Sequence, residues 1–195
     1  MKKVDFLMAG VGGQGTILAS NILAEVGLEL GYDVKKAEIH GMAQRGGTVE
    51  SHIRWGDKVY SPVAIQGNTD YLLGFEMLEA GRWPAYVNKD AVVIVNRYRI
   101  PPPAVNLGKA SYPQEEEIDS LLKSAASRVF WVNATEIAKD LGNPAVVGVV
   151  LLGVLSGLVG GEENAWLNVI KRMVPERFVE LNMKAFRVGR QIQPS

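Results

Sequence analysis

The stretch Met8-Ala-Gly-Val-Gly-Gly-Gln-Gly-Thr-Ile17 dictates what the start of this chain can become, because the hydrophobic period changes across it. Ahead of it, Val4 to Ala9 is short and apolar enough for a buried strand; behind it, Leu18, Ile22, Val26 and Leu30 recur at every fourth position as one stripe of a helix. Gly10, Gly12 and Gly15, with an extra Gly13, fit the spacing G-x-G-x-x-G, and Gln14 and Thr16 complete the loop. Such a turn lets a ligand approach the backbone and aims free N–H groups at it from the positive end of a helix, so an anion, typically a phosphate, is the expected guest. No Lys follows the last glycine, which excludes a Walker loop. The bland alternative is a tight strand-to-helix turn that needs positive φ and binds nothing.

Val34 to Ile39 reads as a second strand, and the strand–helix–strand start predicts a doubly wound sheet. Glu38 lies roughly 20 residues past the glycines, where a nicotinamide-binding protein places its ribose-binding acid. A free-standing dinucleotide-binding oxidoreductase on Gly10, Gly12, Gly15 and Glu38 therefore stays open beside a stand-alone interaction module. His40-Gly-Met-Ala-Gln-Arg-Gly-Gly47 is a second glycine-bearing loop built for contact: Met42, Gln44, Arg45, Gly46 and Gly47 offer an amide and a planar guanidinium fork suited to carboxylate or phosphate. Its bland reading is a solvated turn. His40 and His52 are the only histidines, neither has Asp or Ser at a triad-like spacing, and both read as structural.

Further along, Thr48 to Trp55 alternates like a strand and is expected to turn through Gly56-Asp-Lys into Val59 to Ser61 as a hairpin, which makes the sheet mixed. Tyr71 to Gly74, Ala91 to Val95 and Val129 to Val132 read as core strands, with helices at Glu76 to Trp83, Gln114 to Lys123, and from Asn133 to a stop at Gly142. Ala145 to Gly161 carries no charge but is too short and glycine-rich to span a bilayer; it reads as a buried helix capped by Asn143, with Gly153 and Gly157 admitting close packing by the sheet or another subunit. Trp166 to Val174 is a further helix, and Pro175 opens a last one with Phe178, Leu181, Ala185 and Val188 inward. The expected fold is α/β: a three-layer α/β/α, Rossmann-like domain with a mixed, mostly parallel sheet and C-terminal helices, filling residues 1–195 as one unit.

Composition removes several function classes. Lys plus Arg and Asp plus Glu number 21 each, and this balance argues against nucleic-acid binding by counterion release. There is no Cys, so disulfides, thiolate nucleophiles and an iron–sulfur cluster held by this chain are excluded. The N-terminus lacks the apolar stretch of a secretory signal, which points to the cytoplasm and away from the membrane.

Gly10-Val-Gly-Gly-Gln-Gly15, Glu38-Ile-His-Gly-Met-Ala-Gln-Arg-Gly-Gly47, Tyr60-Ser-Pro62 and Gly74-Phe-Glu-Met-Leu-Glu79 resemble, in that order, the gamma-type domain of the 2-oxoacid:ferredoxin oxidoreductases. The resemblance runs from about residue 4 to 190, and the form of the second loop is most similar to the small (beta) subunit of the indolepyruvate ferredoxin oxidoreductases. It implies a non-catalytic subunit, inactive alone. A large alpha-type partner would hold thiamine diphosphate and iron–sulfur clusters, decarboxylate a 2-oxoacid with coenzyme A as acyl acceptor, and pass electrons to ferredoxin. Gly10, Gly12, Gly13, Gln14, Gly15 and Thr16 would then be the cofactor-facing loop, with coenzyme A a possible contact, and Met42 to Gly47 the active-centre or interface loop. The pyruvate- and 2-oxoglutarate-specific members remain alternatives within the family.

Overall fold

A computed structural model describes residues 3–41 and 47–192. In chain order the elements are β1 (Val4–Val11), α1 (Thr16–Glu29), β2 (Asp33–His40), β3 (Thr48–Gly56), β4 (Thr69–Gly74), α2 (Met77–Ala80), β5 (Val87–Asn96), α3 (Pro103–Asn106), α4 (Glu115–Ala125), β6 (Arg128–Val132), α5 (Ala134–Asp140), α6 (Val147–Val159), α7 (Glu163–Met173) and α8 (Val179–Gln191). The strands form one sheet in the order β2-β3-β1-β4-β5-β6. β1, β4, β5 and β6 run parallel, while β3 pairs antiparallel with both β1 and β2. Because side chains alternate across a strand, β1 feeds two cores: Phe6 and Met8 pack under α1 and α6, and Leu7 packs with Leu72, Val93 and Val95 under α2 and α4. The three-layer α/β/α expectation holds.

At the left of the sheet β3 folds back from β2 and inserts between it and β1. The hairpin expected into Val59 to Ser61 does not form. β3 finds partners on both sides, and the following residues cross its second face as a loop pinned from below. Arg54, itself in a buried ion pair with Asp5 (3.0 Å), donates to the carbonyls of Ser61 (2.9 Å) and Val63 (3.4 Å), and His52 Nδ1 accepts from the Ala64 amide (3.2 Å). The helix expected over Glu76 to Trp83 contracts to α2, after which the Arg82 and Trp83 amides tighten onto the i−3 carbonyls of Glu79 and Ala80 (3.2 Å each) and a separate 3-10 turn, Pro84–Tyr86, follows.

α6 is buried without interruption from Val147 to Ser156, and Asn143 accepts the Ala145 amide at its start (2.9 Å). Its small face packs on α8 of the same chain, where Gly153 abuts Gly189. That contact rotates α8, whose buried residues are Asn182, Ala185, Phe186 and Gly189, while Phe178, Leu181 and Val188 of the expected stripe are only half-buried. No helix among the described residues is long and apolar enough to cross a membrane.

Candidate functional site

β1 runs out at Val11, and the chain must reverse into α1 within four residues. Gly13 (φ +104°) and Gly15 (φ +79°) supply the left-handed conformations this needs, with Gly15 as the α1 N-cap. Gly10 is required for space instead, since a Cβ there would lie 2.8 Å from Phe75 Cβ. Gln14 points inward: its Oε1 accepts from the Val11 amide (2.8 Å) and its Nε2 donates to the Phe75 carbonyl (2.9 Å), which ties the turn to the end of β4. That carbonyl also accepts from Asn96 Nδ2 (3.0 Å), and Asn96 in turn bonds the hydroxyl (2.9 Å) and amide (3.2 Å) of Thr135 at the start of α5. One polar chain therefore knits the carboxyl ends of β1, β4 and β5 to the first turn of α5.

The Gly12 amide donates to Gly47 O at 2.9 Å. This bond brings together the glycine turn and the base of the β2–β3 hairpin tip, two sequence motifs 35 positions apart, by subtraction of 12 from 47. Of the second motif, Gly47 is placed here; Met42, Gln44, Arg45 and Gly46 lie outside the described residues. Of the amides from Gly12 to Gly15, Gly12 is bonded to Gly47 and the Gln14 amide turns back to Val11 O (3.2 Å), which leaves Gly13 and Gly15 without a partner among the described residues.

Two clefts flank the turn. The first, about 270 Å³, is bordered by Gly12, Gly13, Gln14, Tyr98, Ile100 and Thr135, and is closed by Pro144 in the turn before α6 and by Val147, the first residue of α6. The second, about 250 Å³, lies on the hairpin side against Thr16, Ile17, His40 and Val49, and the buried Thr16 hydroxyl has no hydrogen-bond partner among the described residues. Among the described residues no charged side chain borders the first cleft, and backbone dipoles supply its electrostatics: the N-termini of α1, α5 and α6 converge there, with Gly148 of α6 so close to Gly15 that a Cβ would sit 3.4 Å from its carbonyl. This is the crevice at the carboxyl ends of the strands where open α/β sheets bind ligands. Sequence reading missed Tyr98, Ile100 and Thr135; each follows the carboxyl end of β5 or β6, and that position is the signal that could have found them. The loop carrying Tyr98 and Ile100 is anchored by the buried Glu76 carboxylate, which accepts from the Glu79 amide (2.9 Å), the Ile100 amide (2.9 Å) and the Tyr112 hydroxyl. Burial, and then that carboxylate, push the Tyr112 phenol far above its ordinary pKa and keep it a donor.

Glu38 does not serve as a ribose acid. It lies one extra strand from β1, at the level of Ser51 and hence Met8, below the glycines. Burial opposes its ionisation, yet Lys36, Ser20 and His40 around it outweigh that and hold its pKa below the ordinary carboxylate value. Lys36 already neutralises it. No group of three or more His, Asp or Glu among the described residues could hold a metal ion.

A glycine turn at the carboxyl edge of the sheet and the converging N-termini of α1, α5 and α6 define an α/β domain with a backbone-built cleft. The chain belongs to the pyruvate ferredoxin/flavodoxin oxidoreductase family, which it matches over residues 5–192, and is one of its gamma-type subunits. The indolepyruvate oxidoreductase subunit IorB of Archaeoglobus fulgidus is 39% identical, over 96% of this chain and 94% of that one. The gamma subunit of a keto/oxoacid ferredoxin oxidoreductase from Geobacter sulfurreducens superposes with a TM-score of 0.70 at 27% identity, covering 95% of each chain. A 2-oxoglutarate:ferredoxin oxidoreductase from Magnetococcus marinus shares the fold (TM-score 0.77, 18% identity), with all of this chain matching 32% of that one.

Proposed function

We propose that this chain is the cluster-free small subunit of an arylpyruvate-type 2-oxoacid:ferredoxin oxidoreductase, acting with indolepyruvate or a close relative. Thiamine diphosphate, held with iron–sulfur clusters in a large alpha-type partner, supplies the carbanion chemistry of coenzyme A-dependent oxidative decarboxylation, and ferredoxin takes the electrons. The observation that carries this reading is the Gly12–Gly47 hydrogen bond, which puts the glycine turn and the root of the Arg45 loop at one edge of the sheet. The residues present do not fit a cluster, for there is no Cys. They do fit an anionic arm of coenzyme A or of the 2-oxoacid: the Gly13 and Gly15 amides lie at the N-terminus of α1 beside a cleft sized for part of such a molecule rather than all of it. Gln14 holds the turn in shape, and Arg45 provides the fork for a carboxylate or phosphate.

The partner-facing surface is supported by apolar exposure. The pinned loop after β3 turns Tyr60 (85% exposed), Val63 and Ile65 outward, and Ile39 on the edge strand β2 is exposed as well. A loop held by buried Arg54 and His52 that still presents apolar side chains to water is a surface made to be covered.

Reconstitution tests the reading. The isolated chain should reduce neither ferredoxin nor viologen with any 2-oxoacid, turnover should appear with the large subunit, and kcat/KM should favour indolepyruvate over pyruvate and 2-oxoglutarate. Turnover by the isolated chain would overturn the role; a preference for pyruvate would overturn the substrate.

A further inference from the structure

At the opposite, amino edge of the parallel strands lies another cleft of about 300 Å³ that the reading above does not use. Its walls are Val4, Tyr32, Tyr71, Val92 and Val159. The tyrosines are held rigidly from behind, Tyr71 stacked on Phe6 (ring centroids 5.5 Å apart) and Tyr32 on Trp55 (5.4 Å). The register sets Tyr71, Val92 and Arg128 side by side across β4, β5 and β6, so a guanidinium stands at one end of an apolar row. Arg128 lies along the Phe130 ring (5.9 Å).

Three carboxylate and guanidinium groups border this cleft, and their states differ. Asp70 is satisfied, accepting from the Asp5 amide (2.8 Å) and Asn88 Nδ2 (2.9 Å). Asp90 and Arg128 border the same cleft at its exposed rim and form no ion pair with each other among the described residues, which leaves both charges available to a ligand. The Asp90 backbone is fixed, its amide donating to Asn88 Oδ1 (2.9 Å) and its carbonyl accepting from Ser127 Oγ (3.1 Å). Above them ends α6, a 13-residue helix whose C-terminal carbonyls favour a cation; one of these, Leu158 O, lies 3.4 Å from the Tyr71 hydroxyl.

We propose that this cleft binds a small zwitterion with an apolar body, of the α-amino acid class. Arg128 takes the carboxylate, Asp90 and the end of α6 take the ammonium, and Tyr32 and Tyr71 take the side chain. A separated cation and anion at the rim of a stiff aromatic wall match that ligand better than a simple anion or a simple amine, each of which leaves one charge without a partner.

Titration calorimetry on the full chain with L-phenylalanine as the probe tests this, beside 3-phenylpropanoate and 2-phenylethylamine, which lack the ammonium and the carboxylate. Saturable binding of phenylalanine is expected, with each analogue weaker by about tenfold or more, the scale of one charge-assisted hydrogen bond. Arg128→Gln and Asp90→Asn should each weaken phenylalanine by a similar factor with unchanged melting temperatures. Absence of saturable binding at millimolar phenylalanine overturns the proposal, as do analogues that bind equally well. If a variant melts early, the analogue series on the unaltered chain decides. None of these outcomes depends on the oxidoreductase reading, which is tested by turnover at the other edge of the sheet.

Discussion

Gly153 of α6 and Gly189 of α8 meet backbone to backbone. A Cβ on Gly153 would lie 2.2 Å from the Phe186 carbonyl oxygen, and one on Gly189 would lie 2.0 Å from that of Val150. No flexible side chain can yield there, so the helices themselves must part. Gly153→Ala should therefore cost about 3 kcal/mol, at the upper end of overpacking losses. For a chain of this length that is a fall of roughly 6–12 °C in melting temperature by calorimetry. Gly157→Ala, one turn on, meets only Arg190 O at 3.8 Å and should be neutral or stabilising by up to about 1 kcal/mol through helix propensity. Equal melting of the two variants would refute the close crossing.

The glycine turn separates strain from space. At Gly13 nothing lies within 4 Å of a Cβ, so Gly13→Ala meets only the penalty of φ +104°, about 1–3 kcal/mol. Gly12 has no positive φ, so Gly12→Ala carries no such conformational penalty. In the reconstituted enzyme, Gly13→Ala should raise the apparent KM for coenzyme A or the 2-oxoacid. Unchanged constants for Gly13→Ala, measured after confirming assembly, would leave the loop a turn and nothing more.

Arg45→Ala should leave the melting temperature of the free chain within about 0.5 kcal/mol of the original stability, as a loop substitution does. In the complex it should weaken assembly or substrate affinity by roughly ten- to a hundredfold, and Lys should rescue it incompletely because it lacks the planar fork. Titration of the reconstituted enzyme decides between these outcomes.

Glu50 offers a pH test. Burial, and then the neighbouring Glu79, raise its pKa above the ordinary glutamate value. An acid whose folded pKa lies above its unfolded value weakens the fold once ionised. The penalty is complete above the folded pKa and disappears as pH falls below the unfolded value of 4.5. Glu50→Gln should therefore raise the melting temperature at pH 7 and lose that advantage at pH 4. A gain of equal size at both values would assign the effect to something other than ionisation.

Tyr60→Asp and Ile65→Asp place charge on exposed positions of the loop after β3, where the free chain should tolerate them. Co-purification with the large subunit should fall sharply for both. Intact assembly would move the interface elsewhere.

Much of this protein is local and was legible in one dimension. The apolar stretch before Gly10 and the four-residue stripe after Gly15 specify β1, the turn and α1 because periodicity and φ are properties of short segments. The uncharged run after Asn143 specifies α6 for the same reason, and the absence of Cys excludes a cluster held by cysteines of this chain. What only the tertiary structure decided is pairing across long sequence separations. The pattern of Thr48 to Trp55 marks a strand but carries no record of which edges it joins; insertion between β1 and β2 follows from competition for hydrogen bonds, and it removed Glu38 from the glycine turn. In the same way a glycine at 153 and another at 189 each read as small, and only the folded chain makes them one contact. The site follows that rule. Its glycines are local, whereas Gly47, Asn96 and Thr135 reach them through bonds whose partners lie tens of residues away, where sequence spacing holds no distance information.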